Sequence, residues 1–233
     1  MQLKYEQGGK GFGRILPAVF LSVFVLWPGR FAAAADSYQI DSAHSSFGFS
    51  VKHLTVSTVT GEFTDYSGTI QFDPKDPSAF MSEVTIKTAS IDTRQKERDH
   101  HLRSADFFDA EKFPVISFKS KKLTPGSGAL EKPRDPTVGA PGLADTMNPQ
   151  LFIGVYRLTG DLTMHGVTKE ISIPVMISGP VKSPMGGEVI GLSGETTINR
   201  QDFGISWNKA LDSGGWMVGD EVKISVNLEA HKK

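Results

Sequence analysis

Strict alternation of apolar and polar residues recurs along this sequence and limits the folds open to it. In the segment EVKISVNLEA, Val222, Ile224, Val226 and Leu228 alternate with Lys223, Ser225, Asn227 and Glu229. The same period appears in SSFGFSVKH, SEVTIKT, VISFKS and EISIPVMI. Because neighbouring side chains of a strand point to opposite faces, each segment is typical of a half-buried antiparallel strand. About eight to ten such segments with little helix predict an all-β antiparallel barrel or sandwich.

The first 35 residues have the pattern of a secretory signal peptide. Lys4, Lys10 and Arg14 precede a short apolar stretch over residues 15–27, and the small residues 32–35 offer an Ala-x-Ala cleavage site before Asp36. An uncleaved membrane anchor is the alternative, but the apolar stretch is short for a membrane span. Cleavage leaves one barrel domain over residues 36–233, with no cysteine in the chain. Export without disulfides favours a bacterial periplasm.

Charge gives no indication of a nucleic-acid partner. The whole chain has a formal charge of −1, and the leader removes more basic than acidic residues. The exported product is therefore mildly acidic, which disfavours binding to phosphate backbones.

Two regions interrupt the alternation. Residues 94–108 are rich in helix formers and predict one or two irregular helical turns, with Leu102, Phe107 and Phe108 turned inward as a cap on the barrel. Residues 123–151 contain five prolines and no periodicity, which predicts a long surface insertion between two strands.

The cap segment ERDHHLRSADFFDAEKFP carries histidines and carboxylates but lacks the spacing of a metal site. Glu97 and His101 share a helical stripe, yet the next position on it is Ala105, which cannot ligate. We therefore expect neither a metal nor another cofactor. The chain has no cysteine and no G-x-S-x-G motif, so the sequence gives little support for nucleophilic catalysis. His53 and His165, near the ends of predicted strands, leave a hydrolase open.

A small barrel is either packed solid or hollow enough for one ligand. The side chains expected to face inward are Phe47, Phe49, Val51, Phe72, Ile86, Phe118, Phe203 and Trp207. These residues would line an apolar pocket, and plain core packing is the alternative for each of them.

Four segments in order resemble YceI-like proteins. They are YQIDSAHSSFGFSVKHL, IDTRQKERDHHLRSADFFDAEKFPVISFKS, GDLTMHGVTKEISIPV and INRQDFGISW…VGDEVKISVNLEA. The resemblance covers most of residues 38–122 and 156–230. It implies a lipocalin-like antiparallel β-barrel with a short helical cap, exported to the periplasm, that holds a polyisoprenoid or similar long-chain amphiphile without chemistry. The insertion at 123–151 departs from the family's shorter connection.

On this interpretation, a polar headgroup would lie at the barrel mouth. Its candidate contacts are His53, Arg94, His101, Arg103 and His165, although the two arginines could instead pair with nearby acids. A hydrolase or isomerase acting in the same pocket and a solid interaction module are the alternative functions. Exposed edges near Pro174 or at the 123–151 insertion leave a homodimer open.

Overall fold

Eleven antiparallel strands form one sheet in a computed structural model of the protein, which describes residues 35–126, 152–212 and 214–233. The strands are β1 (Asp36–Ile40), β2 (Ser46–His53), β3 (Ser57–Phe63), β4 (Tyr66–Phe72), β5 (Met81–Lys87), β6 (Ile91–Asp92), β7 (Val115–Pro125), β8 (Phe152–Met164), β9 (Val167–Lys182), β10 (Glu188–Asn199) and β11 (Val218–Lys232). One α-helix, α1 (Lys96–Arg103), and short 3-10 turns complete the described elements.

Eight of these strands close into a barrel. Their order is β1-β4-β5-β7-β8-β9-β10-β11, and pairing of β1 with β11 closes the ring. The long strand β11 has two partners on one side, because Ala230 pairs with Ile40 of β1 whereas Asn227 pairs with Ser46 of β2. Strands β2, β3 and β6 extend the sheet beyond this point. The prediction of an all-β, lipocalin-like barrel is confirmed.

Alternating hydropathy sets which side chains enter the barrel. In β5 every second residue is buried and the others are exposed, which is the pattern that its sequence predicts. Pro174 lies within β9, where a proline cannot donate a ladder hydrogen bond. Pro174 directly precedes Val175, the last β9 residue that pairs with β10. The proline therefore lies where the pairing between β9 and β10 has ended, and a missing N–H is tolerated there.

Helix α1 caps one end of the barrel, and its charged residues fasten it there. The buried carboxylate of Asp99 accepts a hydrogen bond from the backbone N–H of Thr93 at 2.8 Å. Arg98 donates to the Thr93 carbonyl, and Arg103 donates to the carbonyls of Ala89 and Ile91. Phe107 is buried, while Leu102 and Phe108 pack partly buried against the core. The predicted short helical cap is therefore present.

The two ends of the barrel carry different segments. At the helix end, β5, β8 and β10 finish near α1; at the far end, β7 finishes and β8 begins. Strand β7 continues through Pro125, three residues into the predicted insertion, because Leu123 is buried and pairs with Leu158. Residues 127–151 of that insertion lie outside the described residues, as do residues 1–34 of the signal peptide predicted over residues 1–35. Across the described ranges, none of the helices has the length and apolar character needed to cross a membrane.

Candidate ligand-binding cavity

An apolar cavity of about 120 Å³ lies inside the barrel. Nearly all of its lining side chains are hydrophobic, and Ser82 and Ser117 are the polar residues among them. Most of the strands contribute side chains to the wall. Examples are Phe47, Phe49, Ile86, Phe118, Leu162 and Val226. Such a surface offers a ligand hydrocarbon contacts and almost no hydrogen bonds.

The far end of the barrel is closed by large side chains. Tyr38, Phe72, Ile177 and Ile190 each expose at most 2% of their surface. The rings of Phe72 and Phe80 meet edge to face with centroids 6.1 Å apart. The cavity therefore has its floor at this end and extends toward the helix end.

Strand separation and glycines leave space toward the helix end. The last residue pair between β9 and β10 joins Val175 to Gly194, although β10 continues to Asn199 and β9 begins at Val167. Two phenylalanine rings also lie close against glycines, Gly61 of β3 and Gly160 of β8. A Cβ on Gly61 would lie 2.5 Å from Cζ of Phe49, and one on Gly160 would lie 2.5 Å from Cζ of Phe118. A side chain at either glycine would therefore displace the ring that contacts it.

A second cavity of about 160 Å³ lies under the helical cap. We call this second cavity the outer cavity and the cavity inside the barrel the inner cavity. Phe49 lines both of them and stands between them. Besides Phe49, the outer cavity is lined by Val51, Lys52, His53, Val59, Arg98, His101, Leu102, Phe107, Trp207, Met217 and Val218. It therefore joins strands β2 and β3 to the helix and to the loop that precedes β11.

The ionisable residues lining the outer cavity are all basic: Lys52, His53, Arg98 and His101. His101 is held in place by Asp106, whose Oδ2 lies 2.9 Å from its Nε2, and by edge contacts to Phe107 and Trp207 at 5.0 and 4.9 Å between centroids. A cavity that is basic and aromatic in this way suits an anionic or strongly polar headgroup.

A buried arginine positions the Trp207 segment. Arg200 is 4% exposed and donates hydrogen bonds to the carbonyls of Ile205, Trp207 and Gly219, and it pairs with Asp220 at 3.0 Å. Burial lowers the pKa of this guanidinium, while Asp220 acts in the opposite direction. Sequence reasoning missed Arg200 because its partners are backbone carbonyls, which leave no signature in a pattern of side chains.

The structure gathers eight of the residues proposed as ligand contacts around the two cavities. Phe47, Ile86 and Phe118 line the inner cavity, Val51, His53, His101 and Trp207 line the outer one, and Phe49 lines both. Their contact with a ligand stays a prediction.

The other five proposed contacts line neither cavity. Phe72 belongs to the packed far end, and Phe203 is buried in the 3-10 turn after β10. Arg94 and Arg103 border a separate polar cleft beside the helix. His165 sits in the β8–β9 turn, where its Nδ1 lies 3.1 Å from the Phe203 carbonyl and its ring meets Phe113. Arg103 fails to reach the mouth because its guanidinium is committed to backbone carbonyls.

Comparison with known proteins identifies the family. The family model described as the YceI-like domain matches residues 38–230. The chain belongs to the YceI-like family. A relative, UPF0312 protein SA2479 of Staphylococcus aureus (strain N315), is 34% identical over 194 residues, which cover 83% of this chain and 96% of that protein.

Solved structures share the barrel. The YCEI protein of Campylobacter jejuni is 33% identical with a TM-score of 0.57, covering 78% of this chain and 90% of that one. A polyisoprenoid binding domain from Saccharophagus degradans is 15% identical with a TM-score of 0.58, covering 84% of this chain and 98% of that one. At this low identity, the second match shows the fold alone.

Proposed function

We propose that this YceI-like protein is a periplasmic carrier that holds a polyisoprenoid or similar long-chain amphiphile. The ligand's chain occupies the inner cavity, and its headgroup occupies the basic outer cavity. The observation that carries the proposal is the contact of these two cavities at Phe49, which places an apolar wall directly below a cluster of basic side chains. The polyisoprenoid binding domain of Saccharophagus degradans, with the same fold, supports the choice of ligand class.

Burial of the chain supplies the affinity. Each methylene removed from water contributes about 0.8 kcal/mol before ordering and association costs are subtracted. A short ligand would not offset those costs, whereas a chain of many carbons would. This favours a long-chain amphiphile over a small apolar molecule.

Phe49 controls the space available to such a ligand. Pockets for small molecules commonly measure about 300–1,000 Å³, which exceeds the volume of either cavity. Rotation of the Phe49 ring off Gly61 joins the two cavities, whose summed volume comes close to the lower end of that range. The carrier therefore binds a long chain with a change of side-chain rotamer at Phe49.

The sequence of residues 1–35 supports the proposed location. The basic, apolar and small-residue regions of residues 1–35 match a signal peptide, and the chain has no cysteine that would require a particular redox environment. Fractionation of a bacterium that expresses the full chain tests this. We expect a periplasmic protein whose first residue is at or near Asp36; a cytoplasmic protein with an intact leader would contradict it.

Extraction of the purified protein tests the ligand. We expect organic solvent to release about one long-chain isoprenoid or related amphiphile per protein, detected by mass spectrometry. We expect Val226→Phe, which places a ring in the inner cavity, to reduce the amount of ligand released from the folded protein. Val181→Phe, the same change at an exposed position, leaves that amount unchanged. Absence of any long-chain molecule from the wild-type protein contradicts the proposal.

The purified protein also tests the alternative that the chain is an enzyme. His101 lines the outer cavity and is hydrogen-bonded to Asp106, and a histidine held in this way could act as a general base. A hydrolase would turn over a small apolar ester and lose that activity in His101→Gln. A carrier shows no such turnover.

A further inference from the structure

Two histidines and two carboxylates meet on the outer surface of the barrel, away from both cavities. Asp41 and His44 belong to the bend between β1 and β2, and Glu229 and His231 lie on β11. Glu229 and His231 are two residues apart on one strand, so their side chains share its outer face. The bend crosses β11 at the point where this strand changes its partner from β2 to β1.

One donor atom each of Asp41, Glu229 and His231 faces a common space, and His44 lies beside it, hydrogen-bonded to Asp41. The Nδ1 atom of His44 lies 2.7 Å from Oδ2 of Asp41 and 4.0 Å from Oε1 of Glu229. The Nε2 atom of His231 lies 3.4 Å and 3.1 Å from those same two oxygens. Donor atoms of Asp41, Glu229 and His231 all lie within 4.8 Å of one another.

The backbone holds this bend firmly against β11. The Asp41 N–H donates to the Glu229 carbonyl at 2.9 Å, and the Ser45 hydroxyl bonds both the carbonyl and the N–H of Glu229. The second carboxylate oxygen of Asp41 accepts from the Ala43 N–H at 2.8 Å. This bond orients the Asp41 carboxylate and leaves Oδ2 directed at the histidines. Sites supported by strands and fixed by neighbouring hydrogen bonds are the most exact ones.

The spacing of Asp41, Glu229 and His231 suits three ligands of a tetrahedral transition-metal site. Bonds of about 2.0–2.2 Å from Zn²⁺ to nitrogen and oxygen place neighbouring donor atoms about 3.3–3.6 Å apart. The Nε2 atom of His231 lies 3.4 Å and 3.1 Å from the carboxylate oxygens of Asp41 and Glu229, close to that range. Imidazole and carboxylate are ligands that Zn²⁺ accepts. The side chains are 26–65% exposed, which leaves a route for an ion from solvent.

We propose that Asp41, Glu229 and His231 form a binding site for a divalent transition metal, with Zn²⁺ as the ion that fits the donor set best and with His44 beside it, hydrogen-bonded to Asp41. The bound ion links the β1–β2 bend to β11 on the outside of the barrel. It takes no part in the cavities, because Leu228 and Ala230, the inward neighbours of the two β11 ligands, are buried on the opposite face of the strand. The site is independent of the function proposed above.

Calorimetric titration of the purified, untagged protein with ZnCl₂ in a non-chelating buffer tests the site. We expect one ion per chain in the wild type. Loss of a second-shell partner commonly weakens metal affinity by about 10–100-fold, so His231→Ala and Asp41→Asn, which remove ligands, should weaken it at least as much. His100→Ala, which removes an exposed histidine outside the cluster, should leave the affinity unchanged.

Circular dichroism in EDTA checks that each variant folds. Because a ligand that binds the native state alone stabilises it, Zn²⁺ should also raise the melting temperature of the wild type and of His100→Ala, but not that of His231→Ala. The proposal is overturned by an absence of saturable binding, by one ion shared between two chains, or by equal affinity in the wild type and His231→Ala.

Discussion

The two halves of the barrel interior follow the same alternating pattern but are filled differently. At the far end Tyr38 and Phe72 are completely buried, and their neighbours close the barrel. Toward the helix end Phe49, Phe118 and Val226 also point inward, yet each is only partly buried because it faces a cavity. Alternation therefore decides which residues enter the barrel. Strand separation and the glycines under the rings decide whether they fill it.

Removing a ring from the packed half should have the largest effect on stability. Phe72→Ala leaves a void among residues that cannot collapse into it, and we expect a loss of about 3–5 kcal/mol in the free energy of unfolding. Chemical denaturation measures this loss. If Phe72→Ala lost less free energy of unfolding than Phe118→Ala, the matched variant in the half that contains the cavities, the distinction between the two halves would fail.

The matched variant in the half that contains the cavities, Phe118→Ala, should lose less free energy of unfolding. Phe118 already borders free space, so Phe118→Ala gives up fewer contacts, and we expect a loss of about 1–2 kcal/mol. It also enlarges the inner cavity. Denaturation together with titration of an isoprenoid should show modest destabilisation and undiminished binding, whereas an equal cost for Phe72→Ala and Phe118→Ala would mean that the interior is uniformly packed.

The smallest effect is expected at Tyr38, whose fully buried hydroxyl has no hydrogen-bond partner among the described residues. Tyr38→Phe keeps the ring and removes that unpaired group, so we expect a gain of up to about 1 kcal/mol at neutral pH. Double-jump or equilibrium denaturation can resolve it. A clear loss of stability would show that the hydroxyl has a partner and that packing at the far end depends on it.

The same variant has a pH signature. Burial, and then the nearby carboxylate of Asp36, raise the pKa of the Tyr38 phenol above its usual value of 10.0. The unfolded chain therefore ionises this group first, and native stability is lost as the pH rises above about 10. We expect Tyr38→Phe to lose less stability than the wild type between pH 8 and 11. Parallel curves for the two proteins would contradict this assignment.

Local patterns predicted the strands and the cap because those elements depend on residues close in sequence. The alternation of Val222 to Leu228 is sufficient to define the inner face of β11. The short helix at Lys96–Arg103 follows from its lack of strand periodicity and its helix-forming residues.

The site was predictable only in part because its assembly depends on distant contacts. Arg94 and Arg103 are close to the mouth in sequence, but the hydrogen bonds of Arg103 and the turn at Arg94 direct them to a separate cleft. Arg98 reaches the outer cavity although it was not among the proposed ligand contacts. The cluster of Asp41, His44, Glu229 and His231 combines residues from the two ends of the domain, and no spacing rule could join them.

Binding of a long isoprenoid in the hollow half is the central claim, and titration with all-trans-retinol tests it most directly. In the wild type we expect saturable 1:1 binding that quenches the emission of Trp207, which lines the outer cavity. A ring forced into a packed space costs about 1–3 kcal/mol, so Val226→Phe should bind at least about 5-fold more weakly, while Val181→Phe binds like the wild type. Equal affinity in the wild type and Val226→Phe would contradict the account, because the chain would then lie outside the barrel.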